Sequence, residues 1–282
     1  MQTYGLKAGA ICYLFVSSTV AWALDPPSQQ QPILAAPVVG AKNPLVQFKS
    51  GRDALRIGVR EYNSGDKAGA IRALEFAAAD GQALALWRLG RMYCDGDGVT
   101  RDDLKAFEIF SKLTDQYAGV PPDSSIAPIA SSAFVALGGY YLKGIAGSYV
   151  AQDFSRAREM FHYAATYFSN PDAQYSLARI YIDGTGVEKN PRLAARWLKL
   201  AAAKGHYSSQ AILGYLLING EGVSRQKAQG FMWLTVARDA ALDAHASTKD
   251  SWIFELYNNA EKTLPDSERK LALSYLENFD RE

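Results

Sequence analysis

Four glycines govern what this chain can become, because each follows and precedes the same residues at the same distances. They are Gly96, Gly144, Gly184 and Gly220. Seven positions before each stands leucine: Leu89, Leu137, Leu177, Leu213. Six before stands a small residue, Gly90, Gly138, Ala178 or Gly214, and three before stands Tyr93, Tyr141, Tyr181 or Leu217. After three of the glycines the chain reads Gly-x-Gly-Val, placing further glycines at Gly98, Gly186 and Gly222. Ten positions after comes Ala106, Ala194 or Gly230, and then a large apolar pair: Ile109-Phe110, Trp197-Leu198, Trp233-Leu234. The unit at Gly144 fits with three extra residues in its turn, giving Ala157, Met160 and Phe161.

Self-similarity at about 36 residues, with helical periodicity on both sides of a glycine turn, marks a stack of helical hairpins. Small residues six before and ten after the marker let the helices of one hairpin approach closely. Leucine and aromatic positions fill the space between hairpins, since neither helix hides its apolar stripe alone. The expected fold is therefore all-α, an α-solenoid. Asn170-Pro171 and Asn190-Pro191 each offer an N-cap followed by proline at the first helical position. A further hairpin precedes the aligned ones, at residues 52–63 and 66–79. Residues 247–279 read as two amphipathic helices broken near Leu264-Pro265-Asp266, without the glycine signature, as a capping element would be. The domain reading is a leader at 1–23, a Pro/Gln-rich arm at 24–44, about five repeats over 45–245 and a helical cap over 246–282.

A Gly-Thr-Gly-Val loop before a helix could also cradle phosphate. Such a loop follows a strand and usually runs into Lys-Ser or Lys-Thr. Here a helix precedes, no such pair follows, and the motif recurs along the chain. Gly96, Gly184 and Gly220 suit left-handed helix ends, with Gly98, Gly186 and Gly222 allowing a tight reversal.

The N-terminus predicts where the protein works. Lys7, an apolar run from Ala8 to Ala23 and the Ala21-Trp22-Ala23 cleavage pattern form the layout of a secretory signal peptide. The run is shorter than the roughly 20 residues of a spanning helix, so export and cleavage after Ala23 are expected, with no membrane insertion of the mature chain. The 30 Lys plus Arg nearly cancel the 29 Asp plus Glu, which argues against a general nucleic-acid binder. Cys12 falls in the leader, and Cys94 is left alone; Ile182 and Ile218 at its repeat-equivalent positions make it a core residue.

No catalytic, metal or cofactor site emerges. The three histidines, His162, His206 and His245, are far apart, with no second ligand at metal spacing. His206 falls in an inter-helix loop as a capping or surface group, and His162 reads as a packed helical residue. Asp95 with Asp97, and Asp102 with Asp103, could suggest acid catalysis of glycan cleavage, but they lie beside helix ends, where capping accounts for them. A binding face is the other candidate, weighed against an ordinary solvated helix surface. First helices of stacked pairs usually line the concave side, and positions eight and five before the marker lie off the leucine–tyrosine stripe. These are Arg88, Arg91, Ser176, Arg179, Ile212 and Tyr215. Arg88, Arg91, Arg179 and Tyr215 are of the types found at interface centres.

The pattern leucine-small-x-x-tyrosine, Gly-x-Gly-Val, then alanine and Trp-Leu, in phase over residues 50–240, resembles the Sel1-like repeat family, relatives of the tetratricopeptide repeats. That likeness implies a scaffold that binds proteins. The leader, the Pro/Gln-rich arm, the stretch "LRIGVREYNSGDKAGAIRALEFAAADGQALALWRLGRMY" and the tail after "GFMWLTVARDAAL" also resemble a family of exopolysaccharide regulators in rhizobia and related alphaproteobacteria. This second resemblance implies a periplasmic protein that binds the periplasmic domain of a membrane sensor histidine kinase and holds it inactive. It further implies control of exopolysaccharide, motility and host association, with a periplasmic protease as the off-switch. The alternatives are an envelope scaffold for polysaccharide or cell-wall enzymes and, further off, a carbohydrate-acting enzyme.

Overall fold

The computed structural model describes residues 48–243 and 250–279. The leader, the arm and His245 lie outside the described residues. Twelve α-helices and no strand are present among those described. They are α1 (Gly51–Ser64), α2 (Lys67–Ala79), α3 (Ala83–Asp95), α4 (Asp103–Tyr117), α5 (Ala127–Lys143) and α6 (Phe154–Thr166), then α7 (Pro171–Asp183), α8 (Pro191–Ala202), α9 (Tyr207–Asn219), α10 (Lys227–Asp243), α11 (Ser251–Thr263) and α12 (Asp266–Phe279). The chain forms two compact units, one of residues 48–137 and 145–150, the other of 138–144 and 151–279.

Most of the helices start on a local side-chain cap. Ser50, Asp66, Asp102, Asp153, Asn170 and Asn190 are N-caps whose side chains accept a backbone N–H three residues on. This satisfies donors that the first turn leaves orphaned. Pro171 and Pro191 occupy first helical positions, where the missing N–H is no loss. Glycine ends the first helix of each hairpin in the left-handed region: Gly96 at φ 71°, Gly184 at 74° and Gly220 at 76°. The next residue's N–H then reaches back to the carbonyl of Met92, Ile180 or Leu216 at 3.0–3.1 Å, the Schellman closure.

A second bond shuts every hairpin of the aligned set. Asp102, Asp153, Asn190 and Gln226 each donate a backbone N–H to the carbonyl three before the marker glycine. The acceptors are Tyr93, Tyr141, Tyr181 and Leu217, at 2.7–2.9 Å. The extra residues after Gly144 therefore leave the closure of the hairpin unchanged.

In the unit of 48–137, the core is built from Ala54, Ala70, Ala73, Leu74, Ala77, Leu86, Leu89, Phe110 and Leu113, all nearly or fully buried. Gly90 is small because Phe110 lies across it; a Cβ there would sit 2.4 Å from the ring. The other unit repeats the device. Gly138 meets Phe161, and Gly214 meets Leu234. Gly214 and Gly230 face one another so closely that a Cβ on either would lie 2.6 Å from the other's carbonyl oxygen. Around this contact pack Ala194, Leu198, Ala211, Ile212, Leu217 and Trp233. Trp252 and Ile253 of α11 join the same core, and α11 and α12 both pack on α10.

The second glycine of each turn does more than reverse the chain. A Cβ on Gly98 would lie 2.4 Å from Lys67 Cβ, one on Gly186 2.4 Å from Phe154 Cβ, and one on Gly222 2.5 Å from the Pro191 carbonyl carbon. Lys67, Phe154 and Pro191 are the first residues of α2, α6 and α8. Each turn thus rests on the start of the preceding hairpin's second helix. Tight reversal alone is too narrow an account of these glycines, because they also set how one hairpin seats on the next.

Candidate functional site

Between α1 and α3 runs a groove of about 340 Å³ lined by Tyr62, Leu84, Trp87, Arg88, Arg91, Met92, Asp95 and Asp97. Tyr62 comes from the end of α1, and Asp97 from the turn after α3. Most of the charges here are satisfied internally. Arg91 forks onto Asp95, with Nε at 3.0 Å and Nη2 at 2.7 Å from the same oxygen. The Tyr62 hydroxyl donates to Asp97, Lys67 Nζ lies 3.0 Å from the same carboxylate, and that ammonium sits 3.2 Å from the centre of the Tyr62 ring. The Tyr62 bond, followed by Lys67, holds the Asp97 carboxyl below its ordinary range. Arg88 differs. Its guanidinium lies 5.6 Å from the Tyr62 ring, and its buried Nε has no hydrogen-bond partner among the described residues.

The corresponding helices of the other unit carry no comparable open guanidinium. Arg179 is only 12% exposed and bonds the Tyr175 hydroxyl at 3.2 Å and Asp183 at 3.1 Å. Burial opposes its charge, but Tyr175 and Asp183 outweigh that, and its pKa rises. Tyr215 donates to Glu221 at 3.2 Å; burial first, and Glu221 second, push its hydroxyl well above the usual tyrosine range. Ser176 and Ile212 are buried, at 8% and 1% exposure. The expectation that they share an open face is corrected. Helices α7 and α9 have neighbours on more than one side, so their buried stripe is wider than one row of leucine and tyrosine.

Three comparisons identify the architecture. The Sel1 repeat model matches residues 83–117, 133–166, 171–206 and 208–241. The chain belongs to the Sel1-repeat family. It is 36% identical over 222 residues to an exopolysaccharide production negative regulator of Rhizobium leguminosarum bv. viciae, covering 79% of each chain. A protein of the same description from Rhizobium meliloti strain 1021 is 32% identical over 281 residues, 99% of this chain and 97% of that one. The crystal structure of a Sel1 repeat protein from Oxalobacter formigenes superposes with a TM-score of 0.63 at 19% identity. It covers 79% of this chain and 83% of the other, a likeness of fold.

Within the Sel1 framework the remaining candidates find structural places. Cys94 is buried. Asp102 caps α4, and Asp103 pairs with Arg101. His206 is the N-cap of α9, its Nδ1 accepting from the Ser209 N–H at 3.1 Å, with Nε2 3.4 Å from Asp172. His162 is exposed and meets Trp197 edge-on, against the expectation of a packed residue, because its helix turns that face outward one position after Phe161. No cluster of three or more His, Cys, Asp or Glu among the described residues is arranged to hold a metal ion, and no helix among them is long and apolar enough to cross a membrane.

The groove itself draws on residues that sequence reasoning passed over. Tyr62 was available as a signal, since it stands three before Gly65, which ends α1 at φ 91°. Leu84 and Trp87 carry no repeat mark. Arg88 and Arg91 were predicted and share this groove; Arg179 and Tyr215 belong to the other unit.

Proposed function

We propose that this Sel1-repeat protein is a periplasmic negative regulator. It binds the periplasmic domain of a membrane sensor histidine kinase and holds the kinase inactive, restraining exopolysaccharide production and adjusting motility and host association. The observation that carries this reading is the relationship over 99% of the chain to a protein described as an exopolysaccharide production negative regulator. The fold supports it: a stack of helical hairpins with a groove of Tyr62, Trp87 and Arg88 offers the residue types of protein interfaces. Residues 1–23 supply the export signal under this reading, and a periplasmic protease ends the inhibition by removing the inhibitor.

The test is photo-cross-linking in the native envelope from a benzoylphenylalanine placed at Leu84. A covalent adduct with a two-component sensor kinase is the expected product, and deletion of the gene should raise exopolysaccharide output. Adducts with polysaccharide or cell-wall assembly enzymes and none with a kinase would replace this reading with the scaffold alternative. Reversing charge at Arg179 is a poor probe, because the change breaks its bonds to Tyr175 and Asp183. Arg91 is the cleaner choice: losing its exposed pair with Asp95 disturbs the fold by only about 0.5 kcal/mol.

A further inference from the structure

The charges around the groove between α1 and α3 do not cancel locally. Arg91 is matched by Asp95, and Lys67 by Asp97, whose carboxylate also takes the Tyr62 hydroxyl. Arg88 is left over. It lines the groove, no hydrogen bond or ion pair reaches its guanidinium from the described residues, and its Nε is shut away from water. That Nε is enclosed by protein, but the terminal guanidinium nitrogens are not, and it is there that a charged acceptor can bind. Beside it, Leu84, Trp87 and Met92 give the groove an apolar lining, and the Tyr62 ring flanks the guanidinium at 5.6 Å.

Resting on the regulatory reading above, we infer that Arg88 is the anchor for an acidic peptide segment of the partner protein. One glutamate or aspartate of that segment places its carboxylate on the Arg88 guanidinium, and an apolar neighbour packs on Leu84 and Trp87. A planar fork suits a carboxylate better than a lysine ammonium would. The groove's own carboxylates, Asp95 and Asp97, are already held by Arg91 and Lys67, so an incoming carboxylate meets Arg88 as the unmatched charge. The remaining arginine contacts, Arg91 with Asp95 above all, hold the groove wall in place whether or not the segment is bound.

The experiment uses the purified protein and a pair of blocked pentapeptides, Ac-Leu-Glu-Leu-Glu-Leu-NH2 and its glutamine counterpart. The arginine Nε–H signals are followed by heteronuclear NMR, with Arg88 assigned from the signal missing in Arg88→Lys. The expected result is a saturable displacement of the Arg88 signal by the glutamate peptide and none by the glutamine peptide. In parallel, Arg88→Met should weaken capture of the kinase's periplasmic domain by roughly tenfold or more, with Arg88→Lys recovering part of the loss and both variants melting like the wild type. Equal shifts with both peptides, or no shift at millimolar peptide, would overturn the anchor. So would an Arg88 signal already displaced in the free protein and released when residues 24–44 are removed, since the chain's own arm would then be the occupant. If the wild type and Arg88→Met capture the kinase domain equally, the anchor falls and the regulatory reading stands. If the glutamate peptide moves Arg88 but the wild type captures no kinase domain, the anchor stands and the kinase reading falls.

Discussion

Gly222 and Gly205 separate two demands that a sequence pattern merges. Both have positive φ, 71° and 81°. A Cβ on Gly205 would meet nothing within 4 Å, whereas one on Gly222 would lie 2.5–2.6 Å from the backbone of Pro191 and Arg192. Gly205→Ala should therefore cost about 1 kcal/mol, the left-handed strain alone. Gly222→Ala should cost about 3 kcal/mol, strain plus overpacking of rigid backbone. Urea titrations of the two variants measure the difference, and equal losses would mean that the turn does not bear on α8. Asp97 makes a second prediction at this scale. Its pKa lies below the ordinary 3.8, so its bonds to Tyr62 and Lys67 contribute fully above that pH and vanish as pH falls through the depressed value. Because its side chain is 37% exposed, the contribution is about 0.5–1 kcal/mol. Asp97→Asn should be less stable than the wild type at pH 7 by that amount and indistinguishable from it at pH 2, as read from unfolding midpoints. The spacing of the glycines was legible, as was the close helix approach that the small residues Gly214 and Gly230 allow. The contact that Gly222 makes was not, because any reason for lacking a Cβ selects the same residue.

Among the helices, caps and enclosure decide stability. Asn190 is an exposed N-cap bonded to the Leu193 N–H at 3.0 Å, and Asn170 is a nearly buried one bonded to the Ala173 N–H at 3.0 Å. Replacing Asn190 by alanine should cost about 1 kcal/mol, and replacing Asn170 up to about 2, since a buried donor is then left open. The double variant should lose the sum, as the two caps share no partner; thermal melts check this. Both caps were readable from Asn-Pro. The buried glutamines Gln174 and Gln210 were not. Each donates its side-chain amide to the last turn of the helix before it, at Ala165 and Ala202, over 3.1 and 3.0 Å. Nothing in an isolated glutamine announces such a tie, which needs the neighbouring helix in place. Ser176 and Ile212 failed for the same reason: a stripe read along one helix ignores whatever covers its flanks.

Taken over the molecule, contacts run between helices that are near neighbours in sequence, α9 with α10, α1 with α2, α7 with α8. Stability in such a stack is close to a sum of local terms. Leu198, fully buried between α8 and α9, gives the test. Leu198→Ala should cost 2–5 kcal/mol, with the fall in amide hydrogen-exchange protection concentrated in α7–α10 and fading towards α12. A uniform fall across 151–279 would show that this unit unfolds as one block. The all-helical solenoid was readable at this scale because every hairpin repeats one spacing; the groove was not, because Tyr62, Leu84 and Trp87 meet only when two hairpins lie side by side. The loop after Gly144 carries a last consequence. Its own later glycine, Gly147, has φ 73° but touches nothing that a methyl group would disturb. Where the other turns act as gauge blocks of fixed thickness, the tip at Gly147 bears on nothing, while beside it Tyr149 packs edge-on against Phe107 and Val150 is buried. That tip is the position at which a tag, a fluorophore or a protease recognition sequence can be spliced in while the neighbouring hairpins keep their spacing.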